Sequence, residues 1–86
     1  MHEEALLQDL RHKIEELARA HGAGRIGRVS LWVGALSHVT EAHLRKEWPR
    51  VVRGTAAEGA VLDVESSTDP EDPRAQGVVL ASLSLE

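Results

Sequence analysis

A histidine in second place, in Met1-His2-Glu3, puts three nitrogen donors within reach of one metal ion. They are the terminal amine, the deprotonated amide nitrogen of His2 and the His2 imidazole. A further backbone amide or side chain completes a square plane. Tetragonal nitrogen coordination suits Cu(II) or Ni(II) better than tetrahedral Zn(II). The α-amine titrates near 7.7–8.0 and imidazole near 6.5, so metal capture is expected to strengthen as pH rises through about 6 to 8. Met1 is expected to survive processing, because methionine removal generally needs a small second residue. The competing reading is a frayed chain end, the usual fate of termini. The residues that follow must therefore order the donors.

Four further histidines compete for chemistry. His38 falls in an irregular segment and is a candidate fifth ligand, or a group that orients the ligands; a loop histidine is more commonly just solvated. His43 and Glu47, like His12 and Glu16, stand four apart on helical stretches. That spacing can hold a metal, but it more often marks a solvated helix face. His21 continues an apolar stripe and is expected to be partly buried at a helix end, where the dipole favours its charged form. No catalytic triad motif or phosphate-binding glycine loop is present, so the sequence does not read as an enzyme. The acidic stretch Asp69-Pro70-Glu71-Asp72-Pro73 lacks calcium-loop spacing.

Eighty-six residues are near the size at which one core is only just sufficient. With no Phe or Tyr and two Trp, that core must be aliphatic. A formal charge of −4 argues against a general nucleic-acid binder. The absence of cysteine excludes a disulfide framework, a cysteine zinc site and a thiol nucleophile. No apolar run approaches the ~18 residues that cross a membrane, and the acidic start is not a signal peptide. The cytoplasm is the expected location.

Leu7, Leu10, Ile14 and Leu17 recur at helical spacing, and Gly22 stops the pattern, so a helix is expected over about 4–21. Residues 28–33 alternate, with Val29, Leu31 and Val33 on one face and Arg28, Ser30 and Trp32 on the other. Gly27 marks a bulge or a close backbone approach. Thr40 is a candidate N-cap for a second helix over 41–53, which Pro49 should kink or restart. Residues 60–65 read as a second strand, with Leu62 and Val64 inward. Residues 78–85 read as a third, with Val79, Ala81, Leu83 and Leu85 sharing a face. Between them, 66–77 is turn chemistry throughout, expected to be a solvent-exposed loop joining adjacent antiparallel strands and tolerant of small deletions near Asp69.

Several residues in this order resemble the HypA family of nickel metallochaperones, which serve hydrogenase and urease maturation. They are Met1-His2-Glu3 at the start, Gly34, Leu36 and Ser37 after the first strand, and the run Gly54-Thr55-Ala56-Ala57-Glu58-Gly59-Ala60-Val61-Leu62-Asp63-Val64. A glycine before a last strand ending in Leu83-Ser84-Leu85-Glu86 also fits. The resemblance covers almost the whole chain. It departs at three points. The family's zinc domain, built on two CxxC pairs between the second and third strands, is replaced by residues 66–77. The family's usual acidic residue after Gly34 is Ala35 here. Pro49 interrupts a helix the family runs through.

Together these give an α+β fold, a three-stranded sheet with two helices packed on one face in the order α-β-α-β-β, over a single domain spanning 1–86. The resemblance implies a metallochaperone that binds Ni(II) transiently through Met1, His2 and Glu3, with no zinc expected. It also implies a partner in nickel-enzyme maturation or the apo-enzyme itself, and neither nucleic acid nor membrane. The alternative is a HypA-derived protein-interaction module without a metal function. The two open edges of a small sheet favour a homodimer in either case.

Overall fold

The computed structural model describes residues 2–22 and 24–86, the side chains of His2 and Glu3 excepted. Five elements follow one another: α1 (His2–Ala20), β1 (Ile26–Val33), α2 (Glu41–Val52), β2 (Val61–Ser66) and β3 (Val78–Leu85). The α+β order is the one the sequence predicts.

In α1 the apolar stripe becomes a buried seam of Leu7, Leu10, Ile14 and Ala18. The helix stops where Gly22 adopts a left-handed φ of 62°, with its N–H on the Arg19 carbonyl. This places His21 beyond the last helical residue, and its side chain is exposed rather than partly buried. Extending the stripe to His21 carries it one step past the point where the backbone turns away.

Thr40 caps α2 as expected, its Oγ1 accepting the N–H of His43 at 3.1 Å. The helix then runs unbroken through Pro49. Proline removes one hydrogen-bond donor, but Pro49 lies on the exposed face, where water can satisfy the carbonyl one turn back. Leu44, Trp48, Val51 and Val52 face the core. The last turn ends on two external donors. The Arg11 guanidinium of α1 donates to the carbonyls of Val51 and Arg53, both at 2.8 Å, and Thr55 donates to Val52. The orphan carbonyls of a helix end are thereby satisfied.

The sheet order is β2-β1-β3. β1 and β2 are parallel with α2 as their crossover, and β3 is antiparallel to β1. This corrects the expectation that 66–77 joins adjacent antiparallel strands: β1 lies between β2 and β3. The reason is burial. Ile26, Val29, Leu31 and Val33 are all buried, and the central position, with a strand on either side, gives β1 the most complete cover in the sheet. The 66–77 segment must therefore cross the end of β1, about two strand spacings of ~4.8 Å each.

Two register shifts interrupt the β1–β3 pairing. One lies at Gly27, between Ile26 and Arg28, as the sequence suggests. In the other, Ser30 pairs with Ser82 while Leu31 pairs with Leu80, leaving Ala81 as the extra residue. This bulge resets the alternation of β3. Val78, Leu80 and Leu83 pack on the core, and Val79 and Ala81 do not share the face of Leu83 as simple alternation required. Each fully buried aliphatic side chain, among them Leu7, Ile14, Leu31 and Leu44, contributes about 1.5–3 kcal/mol of burial energy.

Candidate metal centre

Of the three expected nickel ligands, Met1 lies outside the described residues, as do the side chains of His2 and Glu3. The backbone of His2 and Glu3 is described, and it opens α1. What holds that opening turn is visible one residue further on. The Glu4 carboxylate receives Nε2 of Gln8 at 3.1 Å and Nη2 of Arg50, on α2, at 3.0 Å. The same Arg50 reaches Glu47 at 2.8 Å. The start of α1 is thus clamped to α2 across a bridging guanidinium. The Gln8 hydrogen bond and the Arg50 pair hold the Glu4 carboxyl below the usual carboxylate range, and Glu4 and Glu47 in turn raise Arg50. Neither Gln8 nor Arg50 was singled out by sequence reasoning. A long-range ion pair leaves no periodic trace, although Glu4 and Gln8 at i, i+4 were there to be read.

Leu6, Asp9, Leu10 and Lys13 line one groove with Val78, Val79 and Leu80. Val78 pairs with Val33, so the start of α1 lies at the finishing end of β1. The segment 34–39 leaves β1 at the same end. Val39 is buried and anchors it, and the Ser37 hydroxyl both accepts from the Val39 N–H and donates to the Val39 carbonyl, at 3.1 Å. His38 is exposed between these anchors. Gly34 is needed here for space: a Cβ would stand 2.1 Å from the carbonyl oxygen of Ala75. The 66–77 segment is therefore not free solvent-exposed loop throughout. Ser67 donates to Val33, Gly34 to Gly77 and Leu36 to Ala75, at 2.7–2.9 Å, and Ala75 is buried. Arg74 lies 4.6 Å above the ring of Trp32.

Among the described residues no group of three His, Cys, Asp or Glu side chains is arranged to hold a metal. His12 and Glu16 are both exposed on α1. Glu47 is engaged by Arg50, which weighs against its sharing a metal with His43.

The run 54–60 is structural in this fold. Gly54 and Gly59 take left-handed φ values of 80° and 82°. The Gly54 N–H donates to Glu58 Oε1, the Thr55 hydroxyl accepts from Ala57, and Ala57 is fully buried. Ala56 receives the N–H of Ile26 at 2.8 Å, tying this turn to the first residue of β1.

Fold and site together define a small α+β domain that carries its amino-terminal histidine on a clamped helix. A family model described as hydrogenase/urease nickel incorporation, metallochaperone, hypA matches residues 1–69. The chain belongs to the HypA family. It is 42% identical over 65 residues to a hydrogenase maturation factor HypA of Chlorobium limicola, covering 76% of this chain and 56% of that one. A hydrogenase maturation factor HypA of Paracoccus denitrificans is 41% identical over 64 residues, covering 74% and 57%. The chain thus spans little more than half the length of these relatives. The solution structure of the Ni metallochaperone HypA from Helicobacter pylori has the same fold, with a TM-score of 0.79 at 15% identity over 94% of each chain. A solution structure of a HypA protein covers all of this chain and 97% of its own at a TM-score of 0.75 and 17% identity.

Proposed function

We propose that this chain is a metallochaperone domain that takes up one Ni(II) at Met1, His2 and Glu3 and passes it to a maturation partner or apo-enzyme of the hydrogenase or urease type. Nickel is cargo rather than a resident cofactor. The observation that carries this reading is the placement of His2 at the first turn of a helix clamped by Gln8, Arg50 and Glu47, in a chain of the HypA family. A chelator on a pinned turn loses less conformational freedom on binding than one on a loose end. His38 sits at the same end of the sheet and serves as a further ligand or an orienting group. Residues 66–77 stand in place of a zinc domain, so folding needs no zinc; the sequence has no cysteine to form such a site. No described helix is long and apolar enough to cross a membrane, and the cytoplasm is the proposed site of action.

The test is calorimetric titration with Ni(II), using protein whose amine is untagged. One equivalent is expected to bind. His2→Ala, or a tag blocking the amine, should abolish binding. Equal affinity in the parent and His2→Ala would refute the assignment. NMR line broadening by a trace of paramagnetic metal assigns His38: broadening there as well as at His2 makes it part of the centre, and broadening confined to 1–3 removes it.

A further inference from the structure

The helices cover one face of the sheet and leave the other open. On that open face Arg28, Ser30 and Trp32 of β1 alternate with the buried Val29, Leu31 and Val33. Val61, Asp63 and Glu65 of β2 alternate there with Leu62 and Val64, which pack on the core. The parallel register sets Ser30 beside Asp63 and Trp32 beside Glu65. Asp63 is paired, because Arg28, two residues before Ser30, reaches across to it. The same diagonal drawn from Glu65 ends at Ser30, whose side chain is too short to answer it. Glu65 is exposed and has no hydrogen bond or ion pair among the described residues. An open groove of about 190 Å³ lies at this place, with Ser30, Trp32, Asp63, Glu65 and Ala81 in its lining.

We propose that this groove is a socket for an arginine side chain of a partner protein. Charge complementarity selects a cation: the groove stands where the sheet's own pattern would place a guanidinium, and its unanswered charge is a carboxylate. The Trp32 wall selects arginine over lysine. A planar guanidinium stacks on an aromatic ring and bonds a carboxylate through two N–H groups at once, which an ammonium cannot do. The ring already takes one such cation. Arg74 lies 4.6 Å from its centroid and does not line the groove, so the side of Trp32 that walls the groove is left for a second. A single exposed contact of this kind contributes little by itself, which favours an arginine carried on a polypeptide over a free cation. Val61, Val79 and Ala81 continue along the same open face and give such a polypeptide an apolar rim to lie on. The socket is independent of the proposed nickel ligands.

The probe is the peptide acetyl-Gly-Arg-Gly-amide, titrated at low salt into isotopically labelled protein and followed by NMR, with norleucine in place of arginine as the control. The two tryptophans make the readout internal, since Trp32 walls the groove and Trp48 is buried. The arginine peptide is expected to shift the Trp32 indole N–H and the amides of Ser30 and Glu65 saturably, with the Trp48 indole unmoved. Glu65→Gln, at an exposed position, should weaken binding roughly threefold to fivefold, the scale of one exposed ion pair. Ser30→Arg should fill the groove from within and abolish binding while the Trp48 signal stays in place, an outcome that misfolding cannot imitate. Equal shifts with the norleucine peptide overturn the proposal, as does undiminished binding in either variant. So does the absence of any shift, or shifts spread as strongly over Asp69 and Glu71, which are exposed carboxylates outside the groove.

Discussion

At its start β1 is held by its own β-α-β unit: Ile26 donates to Ala56, inside a turn whose glycines, threonine and buried alanine secure one another. At its finish it is held by a segment from beyond β2, through Gly34 to Gly77 and Leu36 to Ala75. The turn that Ile26 meets is itself local and dense, and it coincides with the longest run in the family resemblance. The finish is assembled across the chain: Gly34 and Leu36 on one side belong to the resemblance, while Ala75 on the other carries no motif. Yet the second end is where the start of α1 and His38 lie. The dense end supplies a fixed frame, and the proposed chemistry sits where the chain is closed by long-range contacts.

Substitutions at the two ends should separate these roles. The largest effect is expected from Gly34→Ala. Its Cβ would collide with backbone, which cannot swing aside, so either the 66–77 segment or β1 must move. We expect a loss of roughly 3 kcal/mol in urea unfolding, together with changed amide shifts from Gly34 to Thr40. At the other end, Thr55→Ala removes the hydroxyl that bonds Val52 at 2.7 Å and Ala57 at 3.1 Å. It should cost about 1–2 kcal/mol while leaving nickel stoichiometry and affinity unchanged. A loss of nickel binding in Thr55→Ala would show that the ends are not independent.

Glu4→Gln should alter the midpoint little, since exposed ion pairs contribute little, but should loosen the first turn of α1 and weaken nickel binding several-fold in calorimetry. The pH dependence follows from the sign of the shift. Glu4 has a depressed folded pKa. Its contribution is therefore complete above the unfolded value and is lost only as pH falls through the folded one. Nickel, by contrast, should be released by protonation of amine and imidazole as pH drops through about 8 to 6. The metal should thus leave while the clamp is intact, which amide exchange at Gln8 and neighbouring positions can follow. The smallest effect is expected from Arg74→Ala. It uncovers the Trp32 ring and should shift tryptophan emission at a cost of about 0.5–1 kcal/mol.

Much of this architecture is legible in the residues. The helix stripe from Leu7 to Ile14 and the alternation from Val29 to Val33 state which faces turn inward, because burial imposes those periods. Gly22, Thr40 and Gly27 act as the sequence suggests. The misreadings share a cause: each extends a local rule past a point where tertiary structure intervenes. Simple alternation predicts one facing for β3, and the bulge at Ala81 breaks it. Consecutive strands suggest a hairpin loop at 66–77, but the buried β1 claims the central position. Pro49 was expected to bend α2, and exposure makes it tolerable. Of the candidate site, only residue types and order were legible. The clamp on Glu4 and the meeting of Gly34 with Ala75 depend on pairings across the chain.

The crossing of β1 by the β2–β3 connection also sets an address. In a hairpin, whatever is spliced between two strands hangs off one edge of a sheet. Here the chain leaves one edge, passes over the end of the central strand and re-enters at the other edge. Any insert is thereby carried to the end where α1 begins. A short strap and a folded module in that position occupy the same doorstep, and the topology delivers either one there before it has made a single contact of its own.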